Sequence, residues 1–220
     1  YYAAILENYG HTVINSFITS LLCGNKLLTT LLLAKNGIPT PKTYAAFSME
    51  SALKVIDKLG YPVVVKPIVG SWGRMIAKIN DKEQAESILE TREMLTDPQQ
   101  QIYYIQEYVK RPPRDIRGIV VNGRVVAAIY RYQPEDDWRT NIARGGKAEQ
   151  IKIDSELEDL MIKASMVVNA KLVGVDAMET ENGYVIHELN NNLEFHGAFQ
   201  ATGIDIAKEI MSYLKELVKN

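Results

Sequence analysis

Residues Asp176 to His196 read D-A-M-E-T-E-N-G-Y-V-I-H-E-L-N-N-N-L-E-F-H, and the folding of that stretch decides the rest. Asp176 closes the apolar run that begins Leu172-Val173-Gly174-Val175, while Glu188 and Asn190 end the run that begins Tyr184-Val185-Ile186. Glu181-Asn182-Gly183 between them signals a hairpin. Two registers are open. A two-residue Asn-Gly loop sets Asp176 opposite Leu189; a loop of about three residues with Gly183 in the left-handed position sets it opposite Glu188. In the second register Asn190 joins the same face, because strand side chains alternate. Two carboxylates and an amide oxygen on one face suit a hard divalent cation such as Mg2+. A solvated hairpin face is the default for a single acid, but apolar residues flank both acids here, and like charges sharing a site need a cation or a proton. The same alternation puts His187 on the opposite face, as a structural residue.

The 220 residues are 46% hydrophobic and 24% charged, the balance of a globular protein of one or two domains. A net charge of −2 gives no overall pull toward nucleic acid or lipid, so any acidic partner must meet a local patch. The single cysteine, Cys23, excludes an intramolecular disulfide, fits a reducing compartment and stands beside no obvious base, so it reads as a buried thiol. No apolar run has the length of a membrane span. The expectation is a soluble, cytoplasmic protein.

The chain opens with a short helix over Tyr1–Asn8 and a strand at Thr12-Val13-Ile14, which together resemble the tail of an α/β unit that began upstream. Asn25 caps a helix that ends at Gly37, and Pro39 and Pro41 keep the next segment extended. Ser48 caps a second helix, and Asp81 with Gln84 forms a capping box for a third. Pro62 to Pro67 is a buried-type strand, Gly70 to Arg74 a loop and Met75 to Ile79 the return strand. Strands follow over Ile102–Val109, Asp115–Val121 and, after the Asn122-Gly123 turn, Arg124–Tyr130. Gln133 to Gly146 is a long polar loop, of the kind that is usually functional in a compact domain. Ser155 with Glu158 starts another helix, and Asp205 caps the last. The order gives an α+β protein of two lobes, with the change of character near Ile105.

Several residues stand out chemically. Lys66 interrupts an apolar strand, and a buried lysine is costly unless it meets an anion. Gly70 and Gly73 allow backbone N–H groups to approach a ligand closely, and Ser71, Trp72 and Arg74 complete a loop suited to phosphate, although it lacks P-loop spacing. Gln106-Glu107-Tyr108-Val109 sits at the lobe boundary, where a base would lodge and the Glu107 carboxylate would read an adenine edge. Asp115 and Arg117 share one strand face and reach the same cleft. Arg139, Asn141 and Arg144-Gly145-Gly146 occupy the long loop, where an arginine beside paired glycines suits a charged tetrahedral or phosphoryl centre.

Taken in order, the strand lysine, the glycine loop, Gln-Glu-Tyr-Val, Asn…Arg-Gly-Gly and Asp…Glu-x-Asn resemble the ATP-grasp ligases from Gly24 to the end. Pro67 to Arg74, Tyr104 to Val109, Arg114 to Arg117 and Ala143 to Ala148 resemble the group containing RimK and the amino-acid–LysW ligases LysX and ArgX. The resemblance implies two α/β lobes clasping ATP: residues 1–23 as the remnant of an N-terminal α/β domain, 24–105 as the central lobe and 106–220 as the C-terminal lobe. It implies an ATP- and Mg2+-dependent ligase in which a carboxylate is phosphorylated and an amine then attacks the acyl phosphate. Carried over, Lys26 and Lys66 hold the phosphates, Gly70 to Arg74 fold over them, and Glu107 and Val109 meet adenine. Asp176, Glu188 and Asn190 bind Mg2+, which fixes the second register, and Arg144 steadies the acyl phosphate. Arg131, Asn141, Asn192, Glu194, Phe195, His196, Gly197 and Ala198 form the amino-acid pocket. The implied substrates are alpha-aminoadipate or glutamate and the acidic carrier LysW, in lysine or arginine biosynthesis. Gly197-Ala198 mixes the glycine of glutamate enzymes with the small residue of aminoadipate enzymes, which implies relaxed selectivity. The protein is expected to act as a homo-oligomer without nucleic-acid or membrane partners. A RimK-like glutamate ligase acting on a peptide tail and a non-catalytic nucleotide-binding module are the alternative readings.

Overall fold

The β-branched run Val63–Lys66 forms a strand, β2, buried along its whole length. In the computed structural model, which describes residues 1–70, 73–140 and 147–219, it lies inside a four-stranded sheet. The order is β1 (Thr43–Ala46), β4 (Tyr103–Glu107), β2, β3 (Ala77–Ile79), every neighbour antiparallel. Helices α4 (Met49–Leu59) and α5 (Lys82–Glu93) cover one face, where Val63 and Val65 meet Ile56, Ile79, Leu89 and Ile105. Period-2 alternation then turns Val64 and Lys66 to the other face. The third strand is shorter than Met75–Ile79 because Met75 adopts φ 56°, outside the strand region.

A second antiparallel sheet has the order β7 (Ala148–Gln150), β6 (Arg124–Tyr132), β5 (Arg114–Val121), β8 (Leu172–Thr180), β9 (Gly183–Asn190). On one face Ile116, Val120, Val173, Val175, Ile186 and Leu189 pack against Leu157 and Met161 of α6 (Ser155–Val167) and Leu33 of α3 (Lys26–Lys35). On the other, Ile119, Val121 and Ile129 pack against Ala198 of α7 (His196–Thr202) and Ile206 and Tyr213 of α8 (Ile206–Lys219). The division expected after residue 105 falls inside β4, and α3 packs with the second sheet, because Leu33 and Ile38 insert beside Val175 and Leu189.

Three local expectations change. Thr12 to Ile14 form no strand; the Asn15 side chain instead bonds the carbonyl of Leu172 and the N–H groups of Lys171 and Leu172, doing locally what a paired backbone would do. Asp154, not Ser155, caps α6, its Oδ1 accepting from the Leu157 N–H at 2.8 Å. A further helix, α2 (Phe17–Cys23), precedes α3 at a 96° bend; among the described residues no single helix is long and apolar enough to cross a membrane.

Candidate active site

The hairpin of β8 and β9 resolves the register. Its loop is Glu181-Asn182, with Thr180 paired to Gly183 and Ala177 to Ile186. A β-bulge at His187 then shifts the count by one, so that Asp176 pairs with Glu188 and Gly174 with Asn190. The pairing expected for a three-residue loop is therefore reached by a tighter turn and a bulge. The bulge has a second effect: His187, expected on the opposite face, lines the same cleft as Glu188 and Asn190.

Neighbouring strands extend that row. Arg117 stands opposite Asp176 on β5 and β8, and Asp115 opposite Arg131 on β5 and β6. These cross-strand neighbours become ion pairs. Arg131 forks onto Asp115 with both bonds at 2.8 Å, and also reaches Asp176 at 3.1 Å. Arg117 forks onto Asp176, its Nη2 at 2.9 Å from Oδ2. Burial opposes the charge on Asp176, but Arg117 and Arg131 outweigh it and hold the carboxyl well below the usual carboxylate range. The Thr140 hydroxyl donates to Asp115.

The opposite wall comes from the first sheet and the start of α3. Asn25 Oδ1 accepts from the N–H groups of Leu27 and Leu28, which fixes where α3 begins and aims Lys26 at the cleft. Lys26 Nζ donates to the Gly70 carbonyl at 2.6 Å and pairs with Glu188 at 3.3 Å, joining the glycine loop to the hairpin. Lys66 donates to Gln106 Oε1 at 2.7 Å. Burial, aided by the nearby charges of Lys26 and Arg111 against the pull of Glu188 and Asp176, lowers the Lys66 ammonium to about 8. Gly70 (φ 149°) has its missing Cβ 3.2 Å from Pro67, and Gly73 adopts φ 67°, so the loop uses its glycines for turns that other residues resist.

Between these walls lies a cleft of about 490 Å3, within the range of small-molecule sites. Among the described residues its lining carries seven lysines and arginines against four carboxylates, the balance of a site for a polyanion. Gly70, Gly73, Arg74, Asp115, Arg117, Arg131, Asn192, Glu194 and Ala198 all reach it. Gln106 does not: its side chain bridges Lys66, Thr43 and Tyr104. Glu107 accepts from the Lys42 N–H at 2.7 Å, and the Tyr108 ring lies beneath Lys78 Nζ, while neither residue lines the cleft, nor does Val109. Phe195 precedes α7 and packs against the core beside Ala198, Gly197 lies in the first turn, and His196 bonds Gln200 outside the cleft. Ser71, Trp72, Asn141 and Arg144 lie outside the described residues.

In the sequence, Arg111, Thr140 and His187 carried no role in the cleft that they line. Arg111 is held extended before Pro112-Pro113 and donates to the carbonyls of Pro112, Arg114 and Trp138; burial lowers its pKa. Thr140 is buried on Asp115. His187 has a side chain only 10% exposed, with neither ring nitrogen hydrogen-bonded among the described residues, and burial together with Lys66 lowers it to about 4. The double proline was the available signal for Arg111; nothing local announces the bulge.

Asp176, Glu188 and Asn190 do come together, with Asn190 Nδ2 3.3 Å from Asp176 Oδ2. Among the described residues no group of three His, Cys, Asp or Glu side chains is placed to hold a metal. Two carboxylates and an amide are still the donor types a hard cation such as Mg2+ takes, with its remaining oxygens from water and a ligand such as polyphosphate.

The sequence matches the RimK-like ATP-grasp domain over residues 23–214. It is 41% identical to the alpha-aminoadipate–LysW ligase LysX of Saccharolobus solfataricus, over 98% of this chain and 78% of that protein. It is 39% identical to the glutamate–LysW ligase ArgX of Sulfolobus acidocaldarius, over 98% and 77%. In fold it is similar to a RimK-domain ATP-grasp protein from Sphaerobacter thermophilus, with a TM-score of 0.81, 24% identity and coverage of 96% and 75% of the two chains.

Proposed function

The chain belongs to the RimK-like ATP-grasp family, and from that premise we propose that it uses ATP and Mg2+ to join alpha-aminoadipate, glutamate or both to the C-terminal glutamate of a LysW-type carrier. The observation that carries this reading is the cleft itself, where Lys26 and Lys66 flank the glycine loop on one side and the Asp176–Glu188 row closes the other. Lys26 and Lys66 hold the phosphates, and Gly70 to Arg74 cover them. Asp176, Glu188 and Asn190 would hold the Mg2+. That ion, when bound, neutralises charge on the transferred phosphoryl group. The carrier carboxylate takes the γ-phosphoryl group, and the amine of the amino acid displaces phosphate to form the amide. Arg144 is assigned to the acyl phosphate by family pattern alone. Asn192, Glu194 and Ala198 bound the amino-acid end, and Arg131 orients it from β6.

The four-stranded and five-stranded sheets, each with its helices, act as the two clasping lobes. The protein works in the cytoplasm as a homo-oligomer. Incubation with LysW, ATP, Mg2+ and each amino acid, read by intact mass, tests the reading. One aminoadipyl or glutamyl unit added to the carrier, with one phosphate released per addition, is expected. The Gly197-Ala198 combination predicts comparable kcat/KM for the two amino acids, and a strong preference for either would sink that part. Glu188→Gln is expected to lose turnover. Addition of glutamate to a peptide tail but not to LysW would replace this reading with the RimK-like one.

A further inference from the structure

The glycine loop between β2 and β3 is held by three cationic side chains from three other segments. The Gly70 carbonyl accepts from Lys26 at 2.6 Å, Gly73 from Arg139 Nη1 at 3.0 Å, and Met75 from Arg92 Nη2 at 2.6 Å. Lys26 and Arg139 line the cleft and can meet a ligand; Arg92 stands behind the loop on α5 and is 4% exposed.

Arg92 is an unusual residue to bury. Its Nη1 has no hydrogen-bond partner, and no carboxylate pairs with it among the described residues. Burial lowers its pKa, the sign of a charge held against solvation. A guanidinium in this state lowers stability, and an apolar side chain of similar volume is commonly neutral or stabilising in its place. Stability therefore gives no reason for an arginine here. Its one side-chain bond among the described residues ends on Met75, which adopts φ 56°, an uncommon conformation for a residue with a side chain. Arg74 and Ile76, on either side of Met75, both line the cleft.

We propose that Arg92 is a positioning residue for nucleotide binding: by holding the Met75 carbonyl it fixes the left-handed turn that sets Arg74 and Ile76 against the cleft. The inference rests on the ligase reading, since it takes the polyanion in the cleft to be a nucleotide. The test uses the full chain and the non-hydrolysable analogue AMPPNP with Mg2+, comparing wild type, Arg92→Met and Arg92→Lys. Arg92→Met is expected to fold with an unchanged or higher Tm and to bind AMPPNP on the order of tenfold more weakly, the effect of losing one charge-assisted hydrogen bond. KM for ATP should rise in step while KM for the amino acid stays within about twofold. Arg92→Lys, which keeps a donor and the charge, should recover most of the affinity. Binding by Arg92→Met equal to wild type overturns the inference. So does failure of that variant to fold, or an equal rise in both KM values, because the role would then be structural. Wild type that does not bind AMPPNP overturns the ligase reading beneath it.

Discussion

Replacing Lys66 by Met asks what a buried ammonium does in a cleft without its anion. Burial lowers Lys66 from 10.5 to about 8. A shift of that size corresponds to about 3 kcal/mol of unfavourable interaction with the charged form. The sign follows from proton counting. Below pH 8 the lysine is protonated in both folded and unfolded chains, and the full penalty is present. Between about 8 and 10.5 the unfolded chain holds more protons, so the folded state gains stability as pH rises, and above 10.5 the penalty is gone. Lys66→Met removes that slope. Urea unfolding of wild type and variant at intervals from pH 7 to 10.5 should give a difference that moves by about 3 kcal/mol in favour of wild type. Ionising tyrosines are common to both proteins and cancel. The absolute gain at pH 7 is smaller than the slope suggests, because the variant leaves Gln106 Oε1 without its Lys66 donor, a loss of about 1–3 kcal/mol. Polyphosphate should restore the charge. At pH 8 roughly half the free protein has Lys66 neutral, so nucleotide binding should take up about half a proton, read by titration calorimetry in buffers of different ionisation enthalpy. Parallel stability curves, or no proton uptake on binding, would refute this account of Lys66.

Two further outcomes follow from packing. A Cβ at Gly118 would lie 2.2 Å from Met161 Sδ and 2.8 Å from its Cε, and Met161 is fully buried, so Gly118→Ala should cost about 1–3 kcal/mol in urea unfolding. KM for ATP should stay unchanged, and a cost under about 0.5 kcal/mol would show that Met161 has room to move. Burial pushes the Cys23 thiol up to about 12, so at pH 8 its thiolate is scarce and a disulfide reagent should label it roughly a thousandfold more slowly than a free cysteine. One thiol should then react at once in denaturant; fast labelling of the folded protein would contradict the burial.

The helices were most legible where one side chain marks the start. Asn25, Ser48, Asp81 and Asp205 all accept from backbone N–H groups where the sequence placed them. The edge strands Thr43–Ala46 and Ala148–Gln150 were not legible. Each is too short for a period to register, and each exists because a neighbour, β4 or β6, offers unpaired backbone groups. The Thr12–Ile14 run failed for the converse reason: its β-branched residues fit a strand, but at the start of β8 the Asn15 amide supplies the hydrogen bonds.

At the site, alternation along one strand is a local property, and it correctly put Asp115 with Arg117 and Glu188 with Asn190. What no strand records by itself is its partner. Arg117 meets Asp176, and Arg131 meets Asp115, only because β5 lies between β6 and β8 in one particular register. The consequence reaches the chemistry. Read alone, Asp176 is an acid awaiting a cation; in the sheet it already has two guanidinium partners, while among the described residues Glu188 pairs only with Lys26, at 3.3 Å. Breaking a buried pair by removing one partner is costly, whereas exchanging partners is not. A metal that reaches Asp176 must therefore arrive with something for Arg117 and Arg131 to bind, and a polyphosphate or a carboxylate answers that need. The surplus of positive charge in the cleft and the paired state of Asp176 are two sides of one arrangement, which favours a metal entering together with its anion over a metal entering alone.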